Sequence, residues 1–147
     1  MMIDDDLTSG VLLRGPEATL AWGRRLGREL PPNRTVAVSG DLGDGKTTLC
    51  KGMAEGWGVA GPVKSPTYNY FLTYRGERGM LVHLDAYRLA GPADYASLLI
   101  EEILEEPWIL LAEWPGRVPG CLPDPRLDLR LSPEGPHARR LRKEERP

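Results

Sequence analysis

One octapeptide constrains this chain more than any other: Gly40-Asp41-Leu42-Gly43-Asp44-Gly45-Lys46-Thr47 meets every fixed position of the pattern G-x-x-x-x-G-K-[ST]. Its glycines let the backbone turn tightly with its N–H groups pointing inward, which makes a concave nest for an anion. A helix opening near Lys46 adds unpaired N–H groups and the positive end of its dipole. Lys46 is then placed to reach the β- and γ-phosphates of a nucleotide, the Thr47 hydroxyl to ligate Mg²⁺, and Thr48 to reach the α-phosphate. The flanks agree. Thr35 to Ser39 is a short β-branched run that predicts a buried strand, and Lys46 to Trp57 predicts a helix stopped by Gly58.

The remaining segments supply what such a unit packs against. Pro16 to Leu30 predicts a helix, with proline at its start, Ala18, Trp22, Leu26 and Leu30 recurring every four residues, and Pro31-Pro32-Asn33 ending it. Tyr68 to Arg75 and Met80 to Asp85, joined by a turn over Gly76 to Gly79, predict a hairpin. Pro92 to Glu105 reads as a helix with Tyr95, Leu98, Leu99 and Ile103 as its apolar residues. Trp108 to Glu113 predicts a second buried strand, and the clean alternation of Arg126 to Leu131 a half-exposed one. Strands interleaved with helices give an α/β P-loop NTPase fold, with a mixed parallel and antiparallel central sheet flanked by helices. One domain over residues 1–135 and a charged C-terminal tail over residues 136–147 are expected.

Composition excludes several alternatives. The 147 residues suit one domain, and 19 basic against 21 acidic residues argue against a surface wholly built to hold nucleic acid. Met1 to Asp6 carries three aspartates in place of the basic then apolar pattern of a signal peptide. The apolar run at Trp108 to Ala112 falls far short of the ~20 residues that span a bilayer. A cytoplasmic location without membrane contact is therefore expected. Cys50, Cys121, His83 and His137 are too scattered for a zinc spacing, so both cysteines are expected to be reduced and structural.

Mg²⁺ needs further oxygen ligands, and the carboxyl ends of strands are where an α/β sheet offers them. Two predicted strands end in acids, Leu81-Val82-His83-Leu84-Asp85 and Trp108-Ile109-Leu110-Leu111-Ala112-Glu113. Either acid is a candidate for touching Mg²⁺, directly or through water, or for orienting the attacking water. Val63-Lys64-Ser65-Pro66-Thr67 is a rigid turn with neighbouring hydroxyls, which reads equally as a switch sensing the γ-phosphate or as a simple proline turn. A guanine-specific N-K-x-D motif is missing, which favours ATP.

Four blocks together carry a resemblance: Gly40 through Thr48, Val63-Lys64-Ser65-Pro66-Thr67-Tyr68, His83-Leu84-Asp85-Ala86-Tyr87-Arg88-Leu89 and Glu113-Trp114-Pro115. In sequence and spacing, over roughly residues 12 to 132, the chain resembles the bacterial ATPase family of tRNA threonylcarbamoyladenosine biosynthesis, TsaE (formerly YjeE). The resemblance implies an accessory subunit that binds ATP and Mg²⁺, hydrolyses ATP to ADP while docked on the transferase subunit TsaD and its partner TsaB, and meets tRNA only through that complex. It implies that Lys46 is the P-loop lysine, Thr47 the magnesium-ligating threonine, Glu113 a magnesium-side carboxylate and Asp85 a Walker-B-like aspartate. Thr67 falls on the switch threonine and Trp114 on an aromatic beside the site, while Leu13 to Pro16 and Leu122-Pro123 would flank the adenine. Asp44 departs from the family, which usually carries alanine there; a carboxylate ~4 Å from a phosphate charge costs about 1 kcal/mol in water and more when shielded.

Arg139, Arg140, Arg142, Lys143 and Arg146 face only Glu144 and Glu145 in the C-terminal stretch. It reads as a solvated, partly disordered tail, with tRNA phosphate contact as the competing reading. Two further functions compete with the ATPase. A small-molecule kinase shares the strand, loop and helix but needs an acceptor pocket and usually an arginine-bearing lid; a non-hydrolysing nucleotide-dependent interaction module would use Asp85 and Glu113 for assembly alone.

Overall fold

A computed structural model describes residues 2–41, 43, 45–64, 66 and 69–145. In chain order its elements are α1 (Met2–Ser9), β1 (Val11–Arg14), α2 (Pro16–Glu29), β2 (Arg34–Ser39), α3 (Lys46–Trp57), β3 (Phe71–Gly76), β4 (Gly79–Asp85), α4 (Pro92–Leu98), α5 (Ile100–Ile103), β5 (Trp108–Glu113), β6 (Arg126–Pro133) and β7 (Ala138–Lys143), with 3-10 turns at Ala86–Arg88 and Pro115–Arg117. The strands form one sheet in the order β1-β7-β6-β2-β5-β4-β3. Four central strands are parallel, since β2 pairs in parallel with both β5 and β6 and β4 pairs in parallel with β5. The edges are antiparallel: β3 on β4, and β7 between β6 and β1. The mixed α/β sheet expected from sequence is therefore present, with β2 at its centre.

Period-two alternation in these strands sorts the core into two layers. Val36, Val38, Leu81, Ile109 and Leu111 pack with Leu26, Leu49, Met53 and Trp57 on the α2–α3 face. Ala37, Val82, Leu84, Leu110 and Ala112 pack with Tyr95, Ile100 and Val118 on the other. By the same parity, His83 and Asp85 follow Leu81, and Glu113 follows Leu111, onto the α3 side. The strand alternation thus delivers polar groups to the helix that carries the phosphate loop.

That helix is held unusually close to its neighbour. Gly23 and Gly27 of α2 meet Gly52 and Gly56 of α3 backbone to backbone. A Cβ at Gly27 would stand 2.1 Å from the Met53 carbonyl oxygen, and one at Gly56 2.1 Å from that of Arg24. Four glycines one helical turn apart in pairs therefore set how near α3 lies to α2.

Two local expectations need correction, and one element was not anticipated. The segment expected as a solvated tail contains β7, whose Leu141 is fully buried and which is hydrogen-bonded on both sides. Its charge hid it: the buried residues Ala138 and Leu141 stand three apart, so no alternation announces a strand, and arginines fill the positions between. The acidic start folds as α1 because Ile3 and Leu7, four residues apart, both reach the core. The predicted helix over Pro92 to Glu105 breaks at Leu99, which is left-handed (φ 54°) and 55% exposed. Tyr95 and Ile100 lie about 140° apart on an unbroken helix, and the break lets both face the core. The hairpin is as expected, although its first strand starts at Phe71 instead of Tyr68.

Candidate nucleotide site

The loop leaves the centre of the sheet. Strand β2 ends at Ser39, Gly43 and Gly45 take left-handed conformations (φ 80° and 91°), and α3 begins at Lys46. An L side chain at either position would carry a steric cost of about 1–2 kcal/mol. Leu42 and Asp44 lie outside the described residues, as do Ser65, Thr67 and Tyr68 of the expected switch. Around that switch, Val63 packs against the core, and the Lys64 backbone exchanges hydrogen bonds with the Tyr74 hydroxyl.

Lys46 is 5% exposed and curls back over its own loop. Its Nζ donates to the carbonyl oxygens of Gly40 (2.9 Å) and Asp41 (2.6 Å) and lies 4.3 Å from the centre of the Trp114 ring. Trp114 holds a left-handed backbone (φ 59°), a conformation that a bulky residue keeps only where its surroundings enforce it. The Tyr87 ring stacks 5.0 Å from it at a tilt, and the Arg117 guanidinium covers the far side of Tyr87 at 5.1 Å. The two 3-10 turns thus build an aromatic wall opposite the loop.

The acids enter from neighbouring parallel strands. In the β4–β5 register Asp85 stands directly opposite Glu113, and Glu113 in turn pairs with Val38 at the end of β2. Glu113 is 2% exposed; its Oε1 accepts from the Thr47 hydroxyl at 3.2 Å, and its Oε2 lies 2.7 Å from His83 Nε2. Asp85 is half-buried and caps the following turn by accepting from the Tyr87 N–H at 3.0 Å. Burial, foremost, and the nearby Glu113 charge push its pKa above the ordinary carboxylate value, against the Tyr87 N–H, His83 and Lys46, which pull it down.

A cleft of about 370 Å³ is lined by Gly43, Gly45, Lys46, Thr47, Thr48, Asp85, Tyr87, Glu113 and Trp114. Every sequence-expected site residue in it comes from the loop or from the two strand ends. Across the loop a second hollow of about 350 Å³ shares Gly43, Gly45 and Thr48 and adds Gly15, Pro16, Thr19, Pro136, His137 and Arg139. Of the segments expected to flank the adenine, Gly15-Pro16 lines this hollow and Leu122-Pro123 lies elsewhere. Leu122 is buried in the core layer on the opposite face of the sheet from α3, and the Pro123 carbonyl accepts from Thr35. The third wall comes instead from β7 and the turn before it, where Arg139 donates to the Gly43 carbonyl at 3.2 Å. No sequence motif marks those residues; only the pairing of β7 with β1 brings them to the loop.

The donor set fits a hard cation. Thr47, Asp85 and Glu113 offer oxygen alone, as Mg²⁺ prefers, beside the glycine loop. Deeper in, Cys50 Sγ, a His83 nitrogen and a Glu113 oxygen lie within 4.8 Å of one another, although sequence spacing kept these residues apart. The Cys50 thiol is pushed well above its usual pKa by burial first and then by the charges of Glu113 and Asp85.

One test of this electrostatic picture is the stability of Asp85→Asn. Because the fold raises the Asp85 pKa, the contribution of this group is fully present below the ordinary carboxylate range and lost as pH rises through the raised value. The charged form therefore costs stability at neutral pH, and asparagine keeps the oxygen that accepts from Tyr87. Paired thermal melts should show Asp85→Asn a few degrees more stable at pH 7, with the gap closing below about pH 4. A variant less stable than wild type at pH 7 would contradict it.

A glycine loop leaving the central parallel strand, with acids at the ends of the next two strands on the same face, defines an α/β protein of the P-loop NTPase fold. A crystal structure of Bacillus subtilis YdiB shares that architecture with a TM-score of 0.74 and 28% identity, over 90% of this chain and 81% of that one. The chain belongs to the TsaE family: the family model for threonylcarbamoyl adenosine biosynthesis protein TsaE matches residues 13–141. Curated relatives named tRNA threonylcarbamoyladenosine biosynthesis protein TsaE agree. The Mycobacterium leprae protein is 38% identical over 88% of this chain and 86% of its own length, and the Synechocystis protein 36% identical over 69% and 67%. The Haemophilus influenzae protein is 43% identical over 60% of this chain, a stretch covering 56% of that protein. No helix among the described residues is long and apolar enough to cross a membrane.

Proposed function

We propose that this chain binds ATP with Mg²⁺ and hydrolyses it to ADP as a cytoplasmic accessory subunit of tRNA threonylcarbamoyladenosine formation at position 37, working on a complex of TsaD and TsaB. The observation that carries the reading is the convergence of Lys46, Thr47, Asp85 and Glu113 on one cleft beside the glycine loop. Lys46 turns its ammonium from the Gly40 and Asp41 carbonyls towards the β- and γ-phosphates. Thr47 and Glu113, already hydrogen-bonded to each other, would hold Mg²⁺, which would neutralise charge on the phosphates. Asp85, at the mouth of the cleft and costly to ionise, is placed to orient a water for attack. The hollow between Gly15-Pro16 and His137 receives the nucleobase, and the Thr48 hydroxyl lies between base and phosphates. Residue Thr67 retains the role of γ-phosphate switch that its family position implies.

Reconstitution tests this directly. Phosphate release and tRNA modification are followed with and without the TsaD–TsaB pair, using wild type and Glu113→Ala. Release should be slow alone and rise when the pair is added, and Glu113→Ala should lose both release and repeated modification. Turnover indifferent to the partners would sink the proposal. Phosphate appearing on a metabolite would make the protein a kinase, and tight binding without any turnover would make it a nucleotide-dependent interaction module.

A further inference from the structure

Under the metal side of the cleft lies a buried imidazole that no step above uses. His83 is 1% exposed and projects from β4 towards α3, diagonal to Glu113 across the β4–β5 register. A carboxylate oxygen accepts, so the 2.7 Å contact requires the proton on His83 Nε2, donated to Glu113 Oε2. His83 Nδ1 stands buried without a hydrogen-bond partner among the described residues. Nε2 is therefore the ring nitrogen that is engaged, and it is aimed at Glu113. Cys50, kept as a thiol, completes the cluster without adding a charge.

Glu113 is thus held from two sides: His83 meets Oε2, and the Thr47 hydroxyl approaches both oxygens, at 3.2 Å to Oε1 and 3.5 Å to Oε2. We propose that His83 is a positioning residue: by donating from Nε2 to Glu113 it fixes the carboxylate against Thr47, where the incoming cation would meet it. This rests on reading the cleft as a Mg²⁺–nucleotide site. His83 touches neither metal nor nucleotide. Without it, a buried glutamate with three free torsions would have to be ordered by the cation itself, and losing such an outer hydrogen bond typically weakens metal affinity by about 10- to 100-fold.

The test is a Mg²⁺ titration of ATP binding by calorimetry, for wild type, His83→Ala, His83→Gln and His83→Asn, alongside binding in EDTA. Glutamine carries its amide N–H about as far from the backbone as Nε2, and asparagine falls short. His83→Ala and His83→Asn should need about tenfold more Mg²⁺ for half-maximal effect while keeping their metal-free ATP affinity within about twofold of wild type, and His83→Gln should recover most of the loss. If His83→Ala fails to fold, the contrast between glutamine and asparagine decides alone. A wild-type Mg²⁺ response in His83→Ala or His83→Asn, or an equal loss in EDTA that glutamine does not rescue, overturns the role of His83. A wild type whose ATP affinity ignores Mg²⁺ overturns the reading of the cleft as well.

Discussion

Lys46→Ala should lower the affinity for MgATP by roughly two orders of magnitude or more and remove measurable turnover. The ammonium makes charge-assisted hydrogen bonds worth about 1.5–3 kcal/mol each, and truncating one partner of a buried charged contact costs 2–5 kcal/mol or more. Two features of this site push the effect upward. The side chain is 5% exposed under the Trp114 ring, so water cannot readily take its place. It also donates to the Gly40 and Asp41 carbonyls, so its loss leaves the loop without the group that gathers its turns. Lys46→Arg should rescue little, because at a side chain only 5% exposed the larger guanidinium fork does not reproduce the compact point charge of the ammonium. Calorimetry with MgATP measures the first effect and phosphate release the second. A variant that binds within fivefold of wild type would remove Lys46 from the site.

The second large effect is expected far from the cleft, at the α2–α3 contact. Gly27→Ala should destabilise the protein by about 2 kcal/mol or more despite alanine's higher helix propensity, which by itself favours the change by about 1 kcal/mol. The new methyl would stand 2.1 Å from the Met53 carbonyl and 2.8 Å from the Trp57 amide. Both are backbone atoms of α3, so no rotamer can yield and the helix has to move. Since α3 starts at Lys46, the displacement reaches the phosphate loop, and MgATP affinity should fall together with the melting temperature. Gly91→Ala is the control: nothing lies within 4 Å of its added methyl. Because Gly91 is the N-cap of α4, the melting temperature of this variant should fall only by the loss of that cap, about three degrees at most. Equal stability for Gly27→Ala and Gly91→Ala would show that the two helices are not in backbone contact in solution.

The residues that line the candidate cleft were largely legible from the chain because their arrangement is local. Eight consecutive residues form the loop, and a loop between a β-branched run and a helix has few ways to fold. Asp85 and Glu113 were also legible, since each ends a strand, and parallel strands bring their carboxyl ends to one side of a sheet. His83 was within reach of the same logic but carried no motif. Its parity with Leu81 and Asp85 placed it on the α3 face, yet nothing in the sequence said that Glu113 would lean towards it.

What the glycine loop, the strand ends and the helix periods determined by themselves was the α/β class and which residues line the candidate cleft, because each is written within a few neighbouring positions. The tertiary structure alone decided the rest. It made a sheet strand of the charged segment Ala138–Lys143, since strand pairing is a long-range contact that local composition does not encode. That strand and the turn before it wall the second hollow with Arg139 and His137. It also turned four scattered glycines into one helix contact and set Glu113 between Thr47 and His83, through packing between segments far apart in the chain.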